Sequence, residues 1–221
     1  MPPAPVADAI LFDLDGTLVD SERENVESVV LAARRWRAEL SAEERAFVIG
    51  HSWNEIHARI VASHALDVTM PALIAAAVEE KRALLANGYR ALPGAVAAVR
   101  RLAARSTLAV VSGASRGEVL DALESLGVRD AFALVLGAED YPRGKPEPDS
   151  YALAIERLGA VPARAVAVED ATPGVLAARA AGARVIGVRA GNFSGYDLSA
   201  ADVVVDTLDE ITDELLARLV G

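Results

Sequence analysis

The chain of 221 residues has no cysteine. That absence excludes disulfide bridges, thiolate zinc sites and thiol nucleophiles, and it accords with a reducing cytoplasm, the location expected for this protein. Positive charge is scarce: 22 Lys and Arg stand against 32 Asp and Glu, a formal net charge of −10. With no long basic run, the electrostatic footprint of a nucleic-acid or anionic-membrane binder is missing, and neither partner is expected. Long hydrophobic runs are missing too. The longest, such as Ala72–Val78, fall far short of the ~20 residues needed to cross a bilayer. Met1–Ala7 lacks a basic start followed by an apolar core and reads as a short disordered lead rather than a signal peptide. There is no internal repeat and no low-complexity tract.

What the chain does have is apolar material, 52% of its residues, enough to bury a substantial core in one catalytic domain with a smaller insertion. Ala9-Ile10-Leu11-Phe12 is a short apolar run that reads as a buried strand. It leads into Asp13-Leu14-Asp15-Gly16-Thr17, which sets two carboxylates two residues apart at a glycine turn. In open α/β sheets ligands bind beyond the carboxyl ends of the strands. Two carboxylates this close repel unless a cation or a proton intervenes. Oxygen ligands of this kind suit Mg²⁺ together with substrate phosphate oxygens. The plain alternative is a turn pair capping the next element.

Three further segments repeat the pattern of an apolar stretch ending in a polar residue. Leu108–Val111 leads to Ser112-Gly113-Ala114-Ser115, whose hydroxyl and N–H groups suit phosphate oxygens, and Ser115 with Glu118 fits a capping box. Lys145 sits in Gly144-Lys145-Pro146-Glu147-Pro148, where the prolines deny helix before Asp149. Ala165–Val168 leads to a second acidic pair, Glu169-Asp170. Thr172 is then expected as an N-cap and Pro173 as the first helical residue. Singly, these are a strand end, a surface charge and a polar loop; together, in an alternating strand and helix pattern, they point to an active site.

The four motifs resemble those of the haloacid dehalogenase superfamily over nearly the whole chain. Gly144–Asp149 and Val168–Gly174 resemble the branch that contains phosphoglycolate phosphatases, sugar phosphatases and beta-phosphoglucomutase. The resemblance implies a Mg²⁺-dependent phosphatase acting on a small phosphorylated metabolite. Asp13 is then the nucleophile that forms an aspartyl phosphate, and Asp15 the acid and base. Lys145 stabilises phosphoryl charge, while Ser112, Gly113 and the backbone around Gly16 and Thr17 hold the phosphate. Asp13, Asp15, Glu169 and Asp170 make the metal site, with Asp170 the direct ligand of the second pair and Glu169 acting through water or from behind. Dehalogenases need no proton for a halide and lack a match for Asp15, which favours phosphoryl chemistry. A beta-phosphoglucomutase-type mutase is the alternative, although its cap loop carries an arginine where this chain has Trp53; Lys81 or Arg82 would have to compensate. A catalytically idle phosphometabolite-binding protein is the second alternative.

The expected fold is α/β, a doubly wound parallel Rossmann-like sheet in a core of residues 1–19 and 88–221, with an all-helical cap inserted at 20–87. Cap helices are expected over Glu22–Trp36, Ala42–Ile49, Trp53–His64 and Pro71–Ala86. Core strands are expected near Leu108–Val111, Ala133–Leu136, Ala165–Val168, Arg184–Val188 and Asp202–Val205, with Gly127, Gly159 and Gly182 ending helices. In the cap, His51 and Trp53 are the candidates for substrate specificity. Ser52 with Glu55 reads equally as a capping box with Trp53 packed inward. His57, His64 and Trp36 read as surface or packing residues. Gly191–Tyr196 reads as a flexible loop without an assigned role, and a monomer or weak homodimer is expected.

Overall fold

In the computed structural model, which describes residues 6–49, 51–192 and 195–221, the first apolar run forms β1 (Ala9–Phe12), buried along its whole length. A helical stretch follows: α1 (Glu22–Arg34), α2 (Ala42–Val48), α3 (Trp53–His64) and α4 (Met70–Leu84). The chain then alternates. It runs through α5 (Ala95–Ala103), β2 (Thr107–Val111), α6 (Arg116–Ser125), β3 (Leu134–Leu136), α7 (Asp149–Leu158), β4 (Ala165–Glu169) and α8 (Thr172–Ala180). It finishes with β5 (Arg184–Val188), β6 (Val203–Val205) and α9 (Asp213–Val220).

The strands form one six-stranded parallel sheet in the order β3-β2-β1-β4-β5-β6. The fold is therefore the expected doubly wound α/β sheet. β1 pairs with β2 on one edge and with β4 on the other, Ile10 lying opposite both Leu108 and Val166. The winding reverses at β1, and such a switch point opens a crevice at the carboxyl ends of the strands.

Period-two alternation sends successive side chains to opposite faces. Ile10, Phe12, Leu108, Val110, Val166 and Val168 meet Leu102 of α5, Leu123 of α6 and Leu216 of α9 on one face. On the other, the small residues Ala9, Ala109, Ala165 and Ala167 meet Tyr151 and Ala154 of α7 and Val175 and Ala178 of α8. Gly127, Gly159 and Gly182 adopt φ of 65°, 63° and 84° just beyond α6, α7 and α8, the left-handed stop expected of them.

The backbone divides into two compact units, one holding Tyr89–Gly221 with the chain up to Asp20, the other Ser21–Gly88. The helical unit has a core of its own, with Val29, Val30 and Ala33 of α1 against Ile56 and Ile60 of α3 and Leu73 and Ala77 of α4. Trp36 and Trp53 pack against that core. α1 ends two residues before the expected Trp36, where the chain turns through Arg37 at φ 63°. Capping boxes open α2 (Ser41 with Glu44) and α3 (Ser52 with Glu55).

Two expectations are corrected at the level of local structure. Val6 donates its N–H to Arg105 O and Ala7 is fully buried, so these residues belong to the fold; Met1–Pro5 of the proposed lead lie outside the described residues. Ala171, not Thr172, occupies the N-cap of α8, and Pro173 is the second helical residue. The Thr172 hydroxyl instead donates to Asp197 O at 2.7 Å, a carbonyl across the loop that outcompetes the helix end. No helix among the described residues is long and apolar enough to cross a membrane.

Candidate active site

Three strand ends and one proline-stiffened loop build the cluster. Asp13 follows β1 directly and is held by its own N–H, which donates to Val168 O at 3.0 Å. Glu169 closes β4 and Asp170 follows it, so the two acidic segments face each other across the switch point. Ligand oxygens of Asp13, Glu169 and Asp170 lie within 4.8 Å of one another, and all three residues are buried. Lys145 enters from the loop before α7, which is braced by Arg143 on Asp149 at 2.7 Å. Its ammonium donates to Asp13 Oδ1 at 2.6 Å, Glu169 Oε1 at 2.5 Å and Val111 O at 3.1 Å.

One lysine does not balance three carboxylates in a site screened from water. Burial pushes the Asp13 carboxyl up to about 8, with Glu169 and Asp15 adding to the rise and Lys145 opposing it. Burial, reinforced by the charges of Asp13 and Glu169, pushes Asp170 up to about 9. Desolvation works against the Lys145 ammonium, yet Asp13 and Glu169 hold its pKa well above the ordinary lysine range. An all-oxygen donor set with unrelieved negative charge fits a hard divalent cation, which would supply the missing positive charge. Asp13, Glu169 and Asp170 are the residues able to hold it.

Asp15 stands apart from this group. It lies past the strand end in the turn 14–19, half-buried, and its carboxylate is not among the three that converge. The turn that carries it is closed by Leu18 and Val19, which donate back to Leu14 O. Gly16 and Thr17 were expected to offer backbone N–H groups to phosphate. Both donate within the turn, to Val19 O and Leu14 O. Thr17 Oγ1 faces Asp170 Oδ1 at 3.4 Å. Gly16 contributes space instead: at φ 82° it lies so close to Asp170 that a Cβ there would come within 2.2 Å of Oδ2.

Ser112 is buried at the end of β2, its Oγ accepting from Ala114 N at 3.1 Å. Gly113 is exposed beside it, at the approach to α6, which Ser115 and Glu118 open with a capping box. Tyr141 donates its hydroxyl to Ser112 O at 2.7 Å and so fixes that segment. His51 and Trp53 belong to the helical unit. The His51 ring is exposed and stacks on Phe47 at 3.6 Å, and Trp53 opens α3. His57 bonds Val68 O at 2.8 Å and His64 bonds Glu44 at 3.1 Å; the sequence read both as surface or packing residues, and the pairing with Glu44 was not foreseen.

Four residues carry weight here that the sequence did not single out. Tyr151 donates to Glu169 Oε1 at 2.6 Å. A Cβ on Gly174 would lie 1.9 Å from the same oxygen, so α8 begins hard against the Glu169 carboxylate. A Cβ on Gly191 would lie 1.9 Å from Gly16 O. Gly191 opens the segment to which no role was assigned, so it supports the first motif's turn; within that segment Phe193 and Ser194 lie outside the described residues. Tyr141 is the fourth. Gly174 meets Glu169 within one strand-to-helix turn, whereas the contacts of Tyr151, Tyr141 and Gly191 span distant parts of the chain.

Residues 10–188 match the family model for haloacid dehalogenase-like hydrolases. Hexitol phosphatase A of Escherichia coli is 38% identical over 209 residues, spanning 91% of this chain and 92% of its own. Validoxylamine A 7'-phosphate phosphatase of Streptomyces hygroscopicus subsp. limoneus is 31% identical over 218 residues, spanning 91% and 94%. Among solved structures, CbbY from Rhodobacter sphaeroides in complex with phosphate superposes with a TM-score of 0.78 at 28% identity, covering 92% of this chain and 96% of that one. The chain belongs to the haloacid dehalogenase-like hydrolases, as an enzyme whose curated relatives are phosphatases.

Proposed function

We propose that the protein is a Mg²⁺-dependent phosphatase that hydrolyses a small phosphorylated metabolite, a phosphorylated sugar or sugar alcohol first and a phosphoglycolate-like acid second. The observation that carries this reading is the ammonium of Lys145 set 2.6 Å from Asp13 Oδ1 and 2.5 Å from Glu169 Oε1, beside Asp170. A nucleophilic carboxylate, a fixed cation and a metal-ready acidic pair stand in one crevice, the parts phosphoryl transfer requires. The phosphatases among its relatives support the substrate class.

Asp13 attacks phosphorus; the bond from phosphorus to the alcohol oxygen breaks and an aspartyl phosphate forms. Asp15 gives its proton to the departing alkoxide. It then takes a proton from water, whose oxygen attacks phosphorus and breaks the bond to Asp13, releasing inorganic phosphate. Exclusion of Asp15 from the carboxylate triad suits this role, since a proton carrier must remain unligated. Lys145 neutralises charge on the phosphoryl oxygens, and Ser112 and Gly113 orient the group in line. Asp13, Asp170 and Glu169 hold Mg²⁺, which when bound supplies the positive charge that keeps the buried carboxyls ionised and draws negative charge from the phosphoryl group. His51 contributes to substrate choice from the helical unit. The enzyme acts in the cytoplasm as a monomer or weak homodimer.

Transfer to a second hydroxyl, as in a mutase, is the weaker reading. A mutase must grip a second phosphate, and Trp53, at the matching position, carries no charge. An idle binding protein has no use for the Lys145 and Asp13 pair. The test is hydrolysis of an aryl phosphate with Mg²⁺ and its loss on chelation by EDTA, followed by kcat/KM over a panel of sugar phosphates, hexitol phosphates and phosphoglycolate. Turnover that needs Mg²⁺ is the expected result. Absence of hydrolysis, or indifference to EDTA, overturns the proposal, and primer-dependent conversion of hexose 1-phosphate to 6-phosphate replaces it with the mutase.

A further inference from the structure

Lys145 has three N–H donors, and each has a protein acceptor within reach: Asp13 Oδ1, Glu169 Oε1 and Val111 O, at 2.6, 2.5 and 3.1 Å. To bond a phosphoryl oxygen, as the proposed reaction requires, the ammonium has to release one of them. A released buried carboxylate oxygen left without a donor is costly. Glu169 Oε1 already has a second donor in place, the Tyr151 hydroxyl at 2.6 Å. The ring of the same tyrosine lies 5.1 Å from the Lys145 ammonium, measured to its centroid, within the range of a cation–π attraction.

Tyr151 is fully buried in the first turn of α7 and packs in the core between that helix and the sheet. A phenylalanine would fill the same volume. The hydroxyl therefore adds nothing to packing, and it is directed at an oxygen that already accepts from a lysine. Gly174 leaves room for the same carboxylate, since a Cβ there would fall 1.9 Å from Oε1, and so admits it to the place where the Tyr151 hydroxyl reaches it.

We infer that Tyr151 is a positioning residue for phosphoryl transfer: its hydroxyl keeps Glu169 Oε1 paired while Lys145 moves from Glu169 to the phosphoryl oxygen, and its ring face guides the ammonium through that shift. The inference rests on the hydrolase reading above. No atom of Tyr151 touches the phosphate, so its effect appears in the rate of the chemical step rather than in capture of substrate.

The experiment is Tyr151→Phe in the full chain with Mg²⁺ and an aryl phosphate, alongside wild type and Ser150→Ala, the neighbouring buried hydroxyl. The expected result is a fall in kcat of about tenfold, the scale of one hydrogen bond to a charged group, with KM and the Mg²⁺ dissociation constant from calorimetry both within about twofold and Tm held. Ser150→Ala keeps wild-type kcat. In a Glu169→Gln background the same Tyr151→Phe change has little further effect, because the carboxylate it serves is gone. An unchanged kcat overturns the inference. So does an equal loss in Ser150→Ala, a loss located in Mg²⁺ affinity, a collapse of Tm, or an undiminished loss in the Glu169→Gln background. A wild type that does not hydrolyse the ester overturns the hydrolase reading itself, an outcome distinct from an active wild type matched by its variant.

Discussion

Asp13 in the sheet unit and Glu44 in the helical unit leave the same fraction of their surface exposed, 8%, yet Asp13 lies deeper beneath the surface and their carboxyls are displaced in opposite directions. Burial drives Asp13 up to about 8. At Glu44 burial also opposes the charge, but the Ser41 backbone and hydroxyl, His64 and Ser63 outweigh it and hold the carboxyl down at about 2. The exposed fraction alone thus does not set the charge of an acid: how deeply the protein surrounds it, the donors it meets and the neighbouring negative charge do. Glu44 caps a helix and is surrounded by donors. Asp13 shares its crevice with Glu169 and Asp170 under a single lysine, an arrangement that costs stability in exchange for reactivity.

The contrast is broken most severely at Asp13 itself. Asp13→Asn lowers turnover at least about a thousandfold by removing the nucleophile, while the thermal midpoint is held or raised because one buried like charge is gone. A melt that falls as far as that of a helix-cap variant would show that Asp13 serves stability. Next in size is Gly174→Ala, whose methyl group would occupy the place of the Glu169 carboxylate. Displacing that carboxylate by an ångström costs roughly a hundredfold in kcat/KM and lowers the midpoint. Gly117→Ala in α6, where a Cβ meets nothing within 4 Å, leaves activity intact.

Two pH dependences of opposite sign sharpen the same comparison. Without metal, Asp13 and Asp170 keep protons in the folded chain that the unfolded chain has lost above its carboxylate pKa of about 4. Stability of the metal-free protein therefore falls as pH rises from there through about 8 and 9. Mg²⁺ competes with those protons, so calorimetric melts give a larger Mg²⁺-induced rise in midpoint at pH 9 than at pH 6. Glu44 behaves in reverse. Its depressed pKa contributes stability above the unfolded value, and that contribution is lost as pH falls through about 2. Glu44→Gln costs on the order of 2–3 kcal/mol at pH 7, and the denaturation curves of variant and wild type converge near pH 2.

Local signals carried most of the fold. The Trp53–His64 helix begins at its capping box and ends where read, and all six strands lie within a residue of expectation because apolar runs and turn residues mark them on the chain itself; β3 begins at Leu134, one residue late, with Ala133 donating its N–H to Leu108 O. Asp13, Glu169 and Asp170 were legible for the same reason, as polar residues at the ends of apolar stretches, and Lys145 by the prolines that stiffen its loop. Tyr151 was not. In sequence it is one more apolar-face residue of a helix, and only the packing of α7 under the sheet brings its hydroxyl to Glu169. Gly191 is likewise an ordinary turn residue until the turn at Gly16 is laid against it. Asp15 was legible as the second acid of the first motif, in a turn that Leu18 and Val19 close onto Leu14 O.

The central place of β1 has a consequence for biosynthesis. Its two flanks are filled by strands encoded far downstream, with Ile10 facing Leu108 on one side and Val166 on the other. During translation the earliest strand therefore waits with an open hydrogen-bonding border until β4 emerges, the stage at which a nascent polypeptide is most exposed to edge-to-edge association. Because the lysine and the acids converge only when that gap is closed, onset of phosphatase turnover would come no earlier than the docking of β4 on β1.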